Sequence, residues 1–149
     1  GQMENFKPQP KSISISSIFD DTKAHFSSEE KIQFQFENPS NLSLVTDENY
    51  LKTIIRNLTG NAVKALVNVQ NPIITWKAFQ ENGTTFLSIS DNGPGTTLDK
   101  FKALYDDKEV VGIKTGLGLH LIRDLAKAID CEIKVDSKLN EGTTITLKL

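Results

Sequence analysis

The sequence holds few of the residues that build cross-links or metal clusters. Its 149 residues contain one cysteine, Cys131, which excludes an internal disulfide and a cysteine-rich zinc site. Histidine is almost as scarce, with only His25 and His120. No apolar run approaches the roughly 18 residues of a membrane-spanning helix, and no signal-peptide pattern is present. Neither sign of charge prevails: 17 Lys and Arg stand against 19 Asp and Glu, a net charge of -2. The basic footprint of a nucleic-acid binder is therefore missing, although overall balance can hide a local positive pocket. There is no internal repeat and no low-complexity tract.

What is present suits one globular domain with a real core. Hydrophobic residues make up 38% and charged residues 24% of the chain, both ordinary values. Cys131 lies in AIDCEIKV, where a helix pattern gives way to a strand, and is expected to pack as a small hydrophobe. The chain opens on Gly1 rather than Met, so we expect a piece of something longer. Residues 1–10 carry two prolines and little periodicity, and read as a linker or the tail of an upstream element.

The strongest local pattern is DENYLKTIIRNLTGNAVKAL, 47–66. At about 100° per residue, Leu51, Ile54, Ile55, Leu58, Ala62, Ala65 and Leu66 form one apolar face. Asn57, Asn61 and Lys64 form a strip on the other side. Asp47 is placed to cap this helix, and Pro72 cannot continue it. Before it, KSISIS suggests a short strand with Ile13 and Ile15 inward. SSIFDDTKAHF suggests a helix capped by Ser17, with Asp20 and Asp21 in its first turn and Ile18, Phe19, Thr22 and Phe26 inward. Residues 32–37 form a period-2 strand, and ENPSNLS reads as a turn.

After it, residues 73–80 and 84–90 are strands joined by a short ENG turn. A weaker helix spans 98–105, and the charged, glycine-bearing stretch that follows reads as a mobile loop. LGLHLIRDLAKAI is a second strong helix, with Leu119, Ile122, Leu125, Ala126 and Ile129 on one side. EIKVDS and TTITLKL close the chain as strands around KLNEG. The expected order is β-α-β-α-β-β-α-α-β-β. This is an α+β, two-layer sandwich of a mostly antiparallel sheet covered on one face by helices.

Three stretches carry candidate chemistry. In DNGPG, Asp91 ends a strand. An ionised carboxylate only accepts hydrogen bonds, so at the floor of a base pocket it selects the amino group of adenine over the carbonyl of guanine. Gly93 and Gly95 would let the backbone approach a ring. Taken alone, DNGPG fits a plain surface turn equally well. TGLGL places Gly116 and Gly118 at a helix N-terminus, where backbone N–H groups can cradle phosphate. It matches neither the dinucleotide nor the P-loop pattern, and a flexible loop would look the same. The amide of Asn61 can ligate Mg²⁺, which leans on substrate phosphates, and Lys64 can neutralise phosphate charge. These residues also fit the solvated side of an amphipathic helix.

Taken together and in this order, the three stretches resemble the catalytic, ATP-binding domain of a two-component sensor histidine kinase, in the GHKL ATPase superfamily. NLTGNAVKA (57–65) is similar to that family's N box and SDNGPG (90–95) to its G1 box. TGLGLHLIRDLAKAIDCEIKVDS (115–137) with EGTTITLKL is similar to its G2 box and terminal strands. The likeness runs from about residue 11 to the end. It implies a Bergerat-type fold over 11–149 and binding of ATP with Mg²⁺. By motif position, Asn61 would ligate Mg²⁺, Asn57 would support the metal–phosphate end and Lys64 would contact phosphate. Asp91 would bind the adenine amino group, with Gly93 and Gly95 shaping the pocket. Gly116, Leu117 and Gly118 would close on the phosphates, and Thr143, after Gly142, would assist the adenine end through water.

The family's mobile ATP lid falls on 96–115, where Lys108 and Lys114 are either phosphate contacts or solvated loop charges. Its F box is usually richer in phenylalanine; here Phe101 remains, with Leu104 and Tyr105 nearby. Relatives that attack with water or serine carry a glutamate general base at the position of Asn57. An amide cannot take a proton, whereas a neutral imidazole, with a pKa near ~6.5, already offers a lone pair. The resemblance therefore implies a transferase acting on histidine, doing mainly positioning and charge neutralisation.

Neither histidine here sits in the family's acceptor pattern. The expected acceptor is on an upstream dimerisation domain, with a response regulator as the later partner. The isolated piece is expected to be monomeric and to turn ATP over poorly. It would face the cytoplasm, within a protein that is either anchored in the inner membrane, as many relatives are, or free of it. The alternatives are a non-catalytic scaffold of the same fold and a hydrolytic or serine-kinase relative.

Overall fold

The computed structural model describes residues 7–105 and 118–149. Strand β1 (Lys11–Ser14) leads directly into helix α1 (Ile15–His25), followed by β2 (Gln33–Glu37), β3 (Ser43–Thr46) and the long helix α2 (Glu48–Ala65). Then come β4 (Ile73–Glu81), β5 (Thr84–Asp91), a 3₁₀ turn (Leu98–Phe101), the short α3 (Lys102–Tyr105), α4 (Leu119–Ala128), β6 (Glu132–Lys138) and β7 (Gly142–Lys148). The main sheet runs β2-β4-β5-β7-β6, with β2 and β4 parallel and every other pair antiparallel. The helices gather on one face of it, giving the expected two-layer α+β sandwich.

Alternation along the strands builds the core. Ile74, Trp76 and Ala78 of β4, Leu87 and Ile89 of β5, and Ile145 and Leu147 of β7 are buried. They join Leu51, Ile54, Ile55 and Leu58 of α2 and Leu119 and Ile122 of α4 in one cluster. Trp76 is fully buried, and its Nε1–H donates to Thr59 Oγ1 at 3.0 Å. Thr59 donates in turn to the Ile55 carbonyl at 2.7 Å. The β4–β5 turn carries Asn82 and Gly83 with φ of 52° and 82°, the pair of left-handed residues a tight hairpin requires.

Several local expectations are corrected. The strand at KSISIS ends at Ser14, and Ile15 opens α1, fully buried. The cap is Ser14, whose Oγ accepts the Ser17 N–H, rather than Ser17. That shift moves Asp20 and Asp21 out of the first turn, and Asp21 instead takes the Arg56 guanidinium of α2 at 2.7 and 3.1 Å. Between the expected turn at ENPSNLS and α2 the structure adds an unexpected strand, β3, which pairs with β1 in a separate two-stranded sheet. Four residues are too few to show a period. Asp47 caps α2 as expected, accepting the Tyr50 N–H at 3.0 Å, and its second oxygen holds the Gln9 N–H at 2.7 Å.

Cys131 is buried and unpaired in a disulfide. Burial, helped by the charge of Glu132, pushes its thiol up to about 12, as suits a packed side chain rather than a nucleophile. Gly60 lies within α2 with nothing inside 4 Å of a Cβ added there. Gly60→Ala is therefore expected to stabilise the chain by roughly 0.5–1 kcal/mol through helix propensity, read as a higher urea midpoint at unchanged slope.

Candidate functional site

A cavity of about 350 Å³ opens between α2, the ends of β5 and β7, and the 3₁₀ turn. One wall is a sector of α2: Leu58, Asn61, Ala62, Lys64 and Ala65. This sector straddles the border between the polar strip and the apolar face. Ala65, expected in the core, is accordingly exposed on the cavity wall. Ile89 and Ile145 make an apolar floor from the sheet, and Phe101 of the 3₁₀ turn closes one side. Flat apolar walls with a few convergent polar groups suit an aromatic ring with a charged tail.

Asp91 and Thr143 face each other across the β5–β7 ladder and both line the cavity. The Asp91 carboxylate accepts the Gly93 N–H at 2.9 Å and the backbone N–H of Thr143. Burial raises its pKa above the ordinary carboxylate value, and those two N–H groups oppose the rise. Asn92 pins the turn from outside: its Oδ1 accepts the Ile73 N–H at 2.8 Å, and its Nδ2 donates to the Asn71 carbonyl at 2.9 Å.

The glycines of the turn answer to packing as well as to the cavity. A Cβ on Gly93 would come within 2.9 Å of Asp91 Oδ1. Gly95, at φ +66°, would put a Cβ 1.9 Å from the Lys138 carbonyl oxygen. The turn is thus seated on the β6–β7 hairpin, where the Asn140 N–H also donates to the Pro94 carbonyl. Gly142 repeats this from the other side, with φ +83° and a Cβ position 2.2 Å from the Asp91 carbonyl oxygen.

Asn57 stands apart from the cavity lining. Its Nδ2 donates to the Thr53 carbonyl at 2.7 Å. Its Oδ1 turns toward Gly118, 3.3 Å from a Cβ built there. Gly118 begins α4 in the left-handed conformation at φ +65°, with no side-chain cap among the described residues. The uncapped N–H groups of α4 therefore start beside the polar strip of α2, an arrangement that favours an anion. Gly116, Leu117, Lys108 and Lys114 lie outside the described residues. Asn61, Lys64, Asp91, Gly95 and Thr143 share one cavity, Gly93 braces Asp91, and Asn57 meets Gly118.

Sequence reasoning passed over three participants. Lys100 lines the cavity and adds a second cation beside Lys64. Thr96 lines it too, and its N–H donates to Ser137 Oγ at 3.0 Å. Ser137 is buried and lies 2.7 Å from Thr143 Oγ1. Its only sequence signal was a position on β6 opposite Thr143. Of the two histidines, His25 is exposed, edge-on to Phe26. His120 is half-buried on α4, its buried Nε2 without a hydrogen-bond partner among the described residues.

Among the described residues no group of three or more His, Cys, Asp and Glu is placed to hold a metal ion. A divalent cation here would have to rest on an amide oxygen and on oxygens of its ligand. Asn61 on the cavity wall offers such an amide, and that donor set fits Mg²⁺, which keeps several waters and prefers phosphate oxygens.

A profile of the family described as histidine kinase-, DNA gyrase B-, and HSP90-like ATPase matches residues 46–149. Among curated proteins, histidine protein kinase DivJ of Caulobacter vibrioides is 30% identical over 117 residues, covering 74% of this chain and 19% of DivJ. Aerobic respiration control sensor protein ArcB of Escherichia coli is 33% identical over 114 residues, covering 71% of this chain and 14% of ArcB. The chain thus spans less than a quarter of either relative.

Among solved structures, the catalytic domain of histidine kinase ThkA superposes with a TM-score of 0.78 at 18% identity, covering 95% of each chain. Full-length ShkA in complex with AMPPNP superposes with a TM-score of 0.77 at 22% identity, covering 96% of this chain and 31% of ShkA. At these identities the structures speak to the fold alone.

Proposed function

We infer the following from the premise that this chain belongs to the family of histidine kinase-, DNA gyrase B- and HSP90-like ATPases, as an ATP-binding catalytic domain of sensor histidine kinases. It positions Mg²⁺-ATP for transfer of the γ-phosphoryl group to a histidine on an upstream dimerisation domain. Residues 1–10 connect to that domain, and residues 11–149 form the ATP-binding unit. A response regulator receives the phosphoryl group afterwards. The observation that carries this reading is the single cavity into which α2, β5 and β7 bring Asn61, Lys64, Asp91 and Thr143.

In this reading adenine lies between the apolar floor and the wall of α2, with its amino group on Asp91. Gly93 N–H and Thr143 N–H hold that carboxylate in place. The phosphates extend along α2 toward the uncapped start of α4, with Lys64 and Lys100 offsetting their charge and Gly116, Leu117 and Gly118 closing on them. Asn61 holds Mg²⁺, and Asn57 supports that end. When bound, Mg²⁺ neutralises charge on the β- and γ-phosphates.

Asn57 does not remove a proton, because its amide is engaged with the Thr53 carbonyl and is not a base. That favours an imidazole acceptor, which needs no base, over water or serine. The burial of His120 Nε2, which has no partner among the described residues, supports a packing role for that residue rather than acceptance of phosphate. No helix among the described residues is long and apolar enough to cross a membrane. We place this domain on the cytoplasmic side of a membrane-anchored sensor.

Calorimetric titration of a non-hydrolysable ATP analogue, with and without Mg²⁺, tests the reading. Wild-type binding is expected to strengthen with Mg²⁺. Asn61→Ala is expected to lose most of that gain, about tenfold in affinity for one ligand to the metal, while Mg-free binding changes little. An Asn61→Ala chain that keeps its full response to Mg²⁺ would remove Asn61 from the metal. A folded wild type that binds no nucleotide would favour a scaffold role.

A further inference from the structure

Ser137 sits on β6 at 7% exposure, and three polar groups surround its hydroxyl. The Thr96 N–H donates to it at 3.0 Å. Thr143 Oγ1 lies 2.7 Å away, and the Gly142 carbonyl oxygen 3.5 Å away. A serine hydroxyl has one proton to give and two lone pairs to receive. Hydrogen bonds between hydroxyl and oxygen cluster near ~2.7 Å and weaken well before ~3.5 Å. The Gly142 carbonyl is therefore a poor acceptor for the Ser137 proton, and either hydroxyl can donate across the 2.7 Å contact. Where Ser137 donates, Thr143 Oγ1 accepts and its own proton is directed elsewhere.

Thr143 lines the cavity beside Asp91. The N–H groups held by the Asp91 carboxylate come from the backbones of Gly93 and Thr143, so the Thr143 hydroxyl is a separate group. Resting on the nucleotide-binding reading above, we propose that Ser137 donates to Thr143 and is thereby a positioning residue that fixes Thr143 as a hydrogen-bond donor, so that Thr143 and Asp91 together read one edge of adenine. That edge carries the ring acceptor N1 beside the amino donor. Asp91 accepts from the amino group, and Thr143 donates to N1. Guanine presents the reverse order and meets donor with donor and acceptor with acceptor. Specificity then rests on a chain from the Thr96 amide through two hydroxyls to the base.

The test compares ATP with 1-deaza-ATP, in which N1 is replaced by C–H and the amino group is kept. Affinities are measured for the wild type and for Ser137→Ala, Thr143→Val and Thr143→Ser. The wild type is expected to prefer ATP by about tenfold, the scale of one buried hydrogen bond. Thr143→Ser keeps that ratio. Thr143→Val brings it close to one, and Ser137→Ala lowers it to a few-fold. Ser137→Cys, which offers only a weak S–H donor, replaces Ser137→Ala if that variant fails to fold.

A wild type that binds both nucleotides equally overturns the inference and leaves the ATP-binding reading intact. So does a Ser137 variant that weakens both nucleotides by the same factor, the mark of a purely structural hydroxyl. A folded wild type that binds neither nucleotide overturns both.

Discussion

Asp91→Asn is expected to lower affinity for ATP by about 100-fold and to remove the preference for ATP over GTP. The carboxylate holds the Gly93 N–H through Oδ1 at 2.9 Å and also accepts the Thr143 N–H. An asparagine in its place has one acceptor oxygen. Satisfying the backbone donors commits that oxygen and turns the NH₂ into the cavity, where a donor meets the amino donor of adenine. Losing a hydrogen bond to a charged group costs about 1.5–3 kcal/mol, or roughly 10- to 100-fold, and the opposed donors push toward the upper end. Guanine presents a carbonyl at that place and should lose far less.

Competition binding with the two nucleotides measures the ratio, and an unchanged ratio would remove Asp91 from the base. The same carboxylate predicts the response to acid. Binding needs the ionised acceptor, so affinity falls as the group takes up a proton. Because burial raises its pKa, that fall should begin at a higher pH than for an exposed aspartate, and it should be absent in Asp91→Asn.

Gly95→Ala is expected to cost about 2–5 kcal/mol of stability and to carry nucleotide affinity down with it. Two effects add. An L-residue at φ +66° pays about 1–2 kcal/mol for the left-handed backbone. The new methyl would also sit 1.9 Å from the Lys138 carbonyl oxygen, and overpacking of that kind costs about 1–3 kcal/mol. The carbonyl cannot simply retreat, because it accepts the Glu141 N–H at 3.0 Å within the β6–β7 turn. For a chain of this size the shift in Tm should be ~10 °C. Gly60→Ala, made at an open helical site, is the control with the opposite sign. Equal stability of Gly95→Ala and wild type would show that the turn does not rest on the hairpin.

How far the sequence could be read follows the range of each interaction. Helix α2 was legible because its signals are local: a long apolar period, Asp47 at its start and Pro72 beyond its end. The β4–β5 hairpin was legible from Asn82 and Gly83, whose backbones the turn demands. Strand β3 was not, because Ser43–Thr46 exists only by pairing with β1. The cap of α1 was misplaced by three residues because Ser14 and Ser17 are alike in sequence. Ser137 read as one polar residue of a strand; burial and a hydroxyl contact made it part of the site. Ala65 read as core by its angle on the helix, yet the cavity beside it leaves it exposed.

The sequence by itself determined the order of the long elements, the ATP-binding family, and most of the residues to suspect. Periodicity, caps and turn chemistry act within a few residues of one another, so composition and spacing reveal them. Only the tertiary structure decided which suspects meet. Asn61 and Asp91 face one cavity because α2 packs across the sheet. Thr143 stands beside Asp91 because the β5–β7 register puts it there. Gly95 and Gly142 are constrained by carbonyls that reach them only once the two hairpins pack together. Register and packing are long-range and collective, and no stretch of the chain carries them alone.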